Sequence, residues 1–86
     1  MNEGKMAKKT HFGNWLKCYL KEHHITNKEL SDKIGVQERL IRQWTSGNCQ
    51  PRFISGVYLI IALARLTEES EQSIYQKMAE CILKDN

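Results

Sequence analysis

Gln37, Glu38, Arg39, Arg42 and Gln43 are the residues whose types and spacing offer chemistry in this chain, and that chemistry is recognition rather than catalysis. Guanidinium and amide groups make paired hydrogen bonds of the sort that match guanine and adenine edges in a DNA major groove. No nucleophile beside a base, pair of acids or phosphate-cradling glycine loop accompanies them, so an enzyme is the least supported class. Ligand-type residues are present as His11, His23, His24, Cys18, Cys49 and Cys81. Their spacing fits no zinc pattern, and adjacent histidines on a helix point about 100° apart. We therefore expect no metal and no cofactor.

Those polar residues need a helix to present them, and the surrounding stretch from Thr26 to Arg52 reads as two short helices across a tight turn. Thr26 and Glu29 form a T-x-x-E capping box that starts the first helix. Leu30 and Ile34 give it one apolar stripe, and Gly35 stands where a left-handed residue would end it. Beyond Val36 and Gln37, the run from Glu38 to Trp44, reaching about residue 46, makes the second helix. Leu40, Ile41 and Trp44 share its apolar side, while Glu38, Arg39, Arg42 and Gln43 occupy the other. Ser46, Gly47 and Asn48 are stop signals, and Pro51 begins a new element.

On Thr26, Glu29, Leu30, Ser31, Ile34, Gly35, Val36, Ile41, Trp44, Gly47 and Pro51, the chain resembles the helix-turn-helix domain of phage lambda-type repressors and Cro proteins, the Cro/C1 or XRE family. The likeness is strong over about residues 12 to 53 and loose after that. Ser31 stands where the family usually has alanine, Gln37 where a serine or threonine cap is common, and Thr45 where glutamate is usual. The resemblance implies an all-α bundle of about five short helices, lambda repressor-like, with helices 2 and 3 as the helix-turn-helix.

It also implies roles. With the second helix of the unit in the major groove, Gln37, Glu38, Arg39 and Gln43 face the bases, with Arg42 at the groove wall or on phosphate. Arg39 is the strongest candidate, because guanidinium to guanine is the commonest specific pairing. Glu38 would accept from a cytosine amino group, or steer Arg39. Asn27 matches a phosphate-contacting position of the family, and Lys28 sits beside it. The Pro51-Arg52-Phe53 run matches a place where such repressors touch the sugar-phosphate backbone. Asn48, Arg52 and the Phe53 amide therefore complete a clamp that sets register without reading sequence. The plainer reading of each is a solvated helix residue.

The remaining elements brace this unit. Residues 1–9 form a polar stretch with Lys5, Lys8 and Lys9, expected to be a flexible basic N-terminal arm, either holding the duplex or merely solvated. Residues 10–86 are expected to be a single domain. Thr10 can cap an amphipathic helix over 11–23, on which Phe12, Trp15, Leu16, Tyr19, Leu20 and His23 recur at three and four. Residues 53–66 read as a helix whose VYLIIALA run is apolar nearly all round, so it is either enclosed or meets another subunit; Gly56 should weaken its first turn. Thr67, Glu68 and Glu69 read as the start of a C-terminal helix within 67–86, with Ile74, Met78 and Ile82 four apart and possible use in dimerisation.

Eighty-six residues suit one small domain with no room for an ordinary catalytic cleft. The net charge of +3 hides an asymmetry: residues 1–52 carry ten Lys and Arg against five Asp and Glu, and residues 53–86 carry three against five. A basic half that contains the two-helix unit fits an anionic partner. Three widely spaced cysteines fit reduced thiols in a cytoplasm, with Cys49 placed where exposure favours oxidation. No membrane span or small-molecule substrate is expected; the longest apolar run, Val57 to Ala64, is far too short to cross a bilayer. The leading expectation is a sequence-specific double-stranded DNA-binding transcriptional regulator, a cytoplasmic homodimer resembling Cro-type or antitoxin-type regulators of phages and mobile elements. The alternative is an antitoxin-like or other protein-interaction module on the same scaffold.

Overall fold

A computed structural model describes residues 10–85, and the expected arm at 1–9 lies outside them. Five helices follow in order: α1 (His11–Glu22), α2 (Asn27–Ile34), α3 (Glu38–Ser46), α4 (Phe53–Leu66) and α5 (Glu71–Asp85). No strand occurs among the described residues. The bundle is all-α: α1 packs on α3 and α5, α2 on α3 and α4, and α4 on α5.

Each of the first three helices ends on a left-handed residue. His24 (φ 57), Gly35 (φ 90) and Gly47 (φ 87) turn the chain. Around His24 and Gly47 the backbone bonds run from Ile25 to Leu20 and from Asn48 to Gln43, with His24 and Gly47 themselves donating to Lys21 and Trp44. This crossed pattern satisfies the last carbonyls of a helix and reverses the chain within three residues. His23 therefore lies past the end of α1, exposed, with its ring 4.4 Å from that of Tyr19 instead of continuing the apolar stripe.

Phe12, Leu16, Leu30, Ile41, Trp44, Leu59, Leu63 and Ile74 are the large side chains sealed from solvent, and all five helices contribute one or more. Burying each such side chain is worth about 1.5–3 kcal/mol, which is what holds helices this short in place. Gly13 decides how closely α1 approaches α3. A Cβ there would lie 2.9 Å from the Trp44 carbonyl oxygen and 3.1 Å from that of Thr45. Gly56, expected to be a weak point, is buried where Met78 of α5 meets α4.

The start of the last helix departs from expectation. Thr67 ends α4, its hydroxyl donating to the Leu63 carbonyl at 2.8 Å and accepting from the Glu69 amide at 3.2 Å. The cap of α5 is Ser70, whose Oγ accepts from the Ser73 amide at 3.1 Å. Thr67 and Glu69 have a different job. Tyr19 donates to Glu69 at 2.7 Å and lies 3.1 Å from the Thr67 hydroxyl, tying α1 to the α4–α5 turn. Ser73 and Lys77 donate to the second oxygen of Glu69.

Candidate nucleic-acid interface

The site begins with the α2 start. Thr26 Oγ1 accepts from the Glu29 amide at 3.0 Å, and Glu29 accepts from the Thr26 amide at 2.8 Å, closing the expected capping box. Two residues after Glu29, Ser31 is buried, its hydroxyl donating to the Lys28 carbonyl at 2.9 Å, while its own carbonyl accepts from Gly35 and Val36. Ser31 thereby satisfies its polar groups locally and leaves a small residue between packed helices. The turn through Gly35 to Gln37 then delivers α3.

Ile41 and Trp44 are sealed in the core, and Leu40 packs against it. With one side of α3 so held, helical geometry sends Glu38, Arg39, Arg42, Gln43 and Ser46 to the other. Gln37, Arg39, Arg42 and Ser46 are exposed; Glu38 and Gln43 are half-buried. Ser46 was read in sequence only as a stop signal, yet its place one turn beyond Arg42 puts it on the same polar face.

The five are not equivalent. Glu38 pairs with Arg42 at 3.4 Å across one turn, so it restrains that arginine and not Arg39. Exposed pairs of this type are worth about 0.3–0.5 kcal/mol, enough to bias a rotamer and little more. Arg39 makes no ion pair or side-chain hydrogen bond among the described residues. Gln43 points toward the next loop: its Oε1 accepts from the Cys49 thiol at 3.8 Å, and its carbonyl accepts from the Asn48 amide at 3.0 Å. Cys49 is exposed.

The flanking set divides in two. Asn48 and Arg52 are exposed around the C-terminal end of α3, and Leu40, Trp44, Cys49, Pro51, Arg52 and Ser55 share one depression. Asn27 is half-buried and Lys28 exposed at the start of α2, where Lys28 pairs with Asp32 at 3.6 Å. No hydrogen bond or ion pair among the described residues joins Asn27 or Lys28 to the α3 set.

Helix caps separate the elements further. α1 begins with Thr10 accepting from Gly13 at 2.8 Å, and its first two amides, His11 and Phe12, donate to Asp85 at 2.7 and 3.0 Å. α2 has its capping box, and α5 has Ser70. α3 and α4 begin at Gln37 and Arg52 with no side-chain cap. Apart from the Leu40 amide, which donates to the Gln37 carbonyl at 3.0 Å, the first-turn amides of those two helices therefore keep their donors for water or for an anion, although in α3 Glu38 already places a negative charge at that end. α4 has no acidic residue in its first turn, and Arg52 precedes it.

Asp85, which sequence reading did not single out, has its carboxyl held below the usual range. Burial works to raise it, but the Phe12 and His11 amides and the His11 ring at 2.9 Å more than offset that. Cys81 is shifted the other way, its thiol pushed up chiefly by burial. Among the described residues, no group of three or more His, Cys, Asp or Glu is placed to hold a metal ion. None of the described helices is long and apolar enough to cross a membrane. Compared with family models, curated proteins and solved structures, the chain finds no match.

Proposed function

We propose that this chain is a sequence-specific double-stranded DNA-binding transcriptional regulator of the Cro/C1 type, acting in the cytoplasm as a two-fold dimer and derived from a phage or other mobile element. The observation that carries the reading is a coincidence of two properties on the same elements. α3 turns an uncovered Arg/Gln face away from its Trp44 anchor, and α3 and α4 are the two helices whose N-termini lack a side-chain cap.

In this reading α3 enters the major groove N-terminus first. Arg39, held by no partner among the described residues, donates in a paired fashion to guanine O6 and N7. Gln37 suits adenine, and Glu38 accepts from a cytosine amino group when it releases Arg42. Arg42, steered by Glu38, lies against the groove wall or a phosphate. Gln43 contributes at the edge of the footprint, since its amide is drawn to the loop at Cys49. Arg52 and the amide of Phe53 bind one phosphate, Asn48 assists them, and Asn27 and Lys28 bind another on the far side of the groove. Dimerisation doubles a footprint of only a few base pairs, which is how a single reading helix reaches useful specificity.

Titration of labelled duplex DNA at several salt concentrations tests this. The affinity should fall linearly in log salt with a slope set by the number of phosphates neutralised, and Arg52→Ala should flatten the slope by about one while weakening all sequences alike. Absence of any duplex binding at low salt would refute the proposal.

A further inference from the structure

Helix α4 carries an exposed side that the candidate DNA face does not use. Ile54, Tyr58, Ile61 and Arg65 recur at four, three and four, so they lie along one side for roughly three turns, about 16 Å. Ile54 is 63% exposed and Tyr58 54%. Where this side meets the end of α2, Ile34, Tyr58, Ile61 and Ala62 floor an open depression of about 340 Å³, and Lys33 and Arg65 complete its lining. No acidic residue lines it, and neither does any residue of the candidate DNA set.

Both cations are uncommitted. Lys33 and Arg65 are exposed and make no ion pair or side-chain hydrogen bond among the described residues. Glu29 and Asp32 share the neighbouring depression with Lys33, yet each is engaged elsewhere: Glu29 closes the capping box with Thr26, and Asp32 lies 3.6 Å from Lys28. An apolar floor edged by two such charges has a definite complement, which is apolar side chains with carboxylates on their flanks.

We propose that this α2–α4 face binds an acidic amphipathic helix of another protein, its apolar residues seated on Ile34, Tyr58 and Ile61 and its carboxylates meeting Lys33 and Arg65. Other common modes of peptide recognition find less here. An added strand needs a sheet edge, and no strand occurs among the described residues. A proline-rich segment needs an aromatic-lined groove, and Tyr58 is the one aromatic residue that lines the depression. A phosphate needs clustered cations, whereas Ile34, Ile61 and Ala62 offer it only apolar surface. A helix, by contrast, sets anchors at i, i+3 or i+4 and i+7 against a stripe of the same period. Tyr58 is the central anchor, and the small contact belongs to the weak, exchangeable class. The α2–α4 face and the DNA reading share no residue, so either can fail alone.

Peptides selected from a displayed library of randomised helices about four turns long, captured on the full chain, test the proposal. Enriched sequences should carry Leu, Ile, Met or Phe at helical spacing, flanked by Asp or Glu. A synthetic peptide of the enriched sequence should bind with a Kd that rises about tenfold in Lys33→Glu with Arg65→Glu, and by a similar factor in Tyr58→Ser. All three positions are exposed, and circular dichroism checks that helix content is kept. If the charge reversal loosens the fold, Lys33→Gln with Arg65→Gln should still raise the Kd about threefold. Excess duplex DNA should leave the peptide in place, and Tyr75→Gln, in the separate groove between α4 and α5, should leave its Kd unchanged. No enrichment, enrichment of uncharged or basic helices, or a Kd that neither pair of charge changes moves would each overturn the proposal. So would displacement by duplex, which puts the peptide on the DNA face, or a Kd raised by Tyr75→Gln, which puts it in the other groove.

Discussion

The α2–α3 unit and the α4–α5 pair solve opposite problems. The first is closed by signals within a few residues of each other: Thr26 with Glu29, Gly35 in its left-handed turn, Gly47 at the end of α3. What it leaves uncovered is polar. The second is joined to the rest by contacts from far along the chain, Tyr19 to Glu69 and the α1 amides to Asp85. Its uncovered surface is apolar. A unit whose shape is set locally leaves its outer polar side chains free of packing, while the brace behind it is held by hydrophobic surface and by contacts made across the chain.

That contrast can be broken at its strongest point first. Trp44 is the anchor that turns the polar face outward, so Trp44→Ala should cost about 3–5 kcal/mol and lower the midpoint of chemical denaturation accordingly. A loss below 1 kcal/mol would mean that α3 is held by something other than its core side.

Gly13→Ala comes next. Helix propensity favours alanine by up to about 1 kcal/mol, but backbone oxygens of α3 block the new methyl, and overpacking of that kind costs about 1–3 kcal/mol. The net effect should be destabilising, and thermal unfolding will show its sign. If the substitution stabilises, α1 and α3 are not in the close approach described.

Asp85→Ala removes a cap supplied across the whole length of the chain. The loss should be about 1 kcal/mol, in the range of an ordinary N-cap, with hydrogen exchange rising first at the α1 N-terminus.

The smallest effects are in pH. Bonds from Lys77, Tyr19 and Ser73 hold the Glu69 carboxyl at about 2, down from 4.5. A lowered carboxylate contributes stability above its unfolded value, so that contribution is lost as pH falls from about 4.5 toward about 2. Burial first, and the neighbouring Glu69, push Tyr19 up to about 12 from 10. A raised phenol stabilises the fold below its unfolded value and stops doing so as pH rises from 10 toward about 12. Unfolding midpoints measured across pH should lose the acid limb in Glu69→Gln and the alkaline limb in Tyr19→Phe.

The same division decides what could be read in advance. The capping box, the Gly35 and Gly47 turns and the buried Ile41 and Trp44 all follow from spacing within one or two turns, and each helix was legible to within a few residues. Thr67 was misread because a hydroxyl followed by two acids looks like a helix start. The partners that give it another role, Leu63 and Tyr19, include one 48 residues away. Asp85 as a cap of α1, and the need for glycine at position 13, were out of reach for the same reason. Within the candidate site, residue types were legible but pairings were not: Glu38 holds Arg42 and not Arg39, and Gln43 is drawn to Cys49. Such choices between neighbours depend on rotamers that no spacing rule specifies.

Selection of bound duplexes from a random library, run in parallel for the native chain and Arg39→Ala, tests the central claim most directly. The α3 reading predicts an enriched half-site for the native chain, loss of preference at one base pair within it for Arg39→Ala, and a drop in affinity of about 1–3 kcal/mol for the selected site. Identical enrichment and affinity for the two proteins, or no enrichment for either, would contradict it.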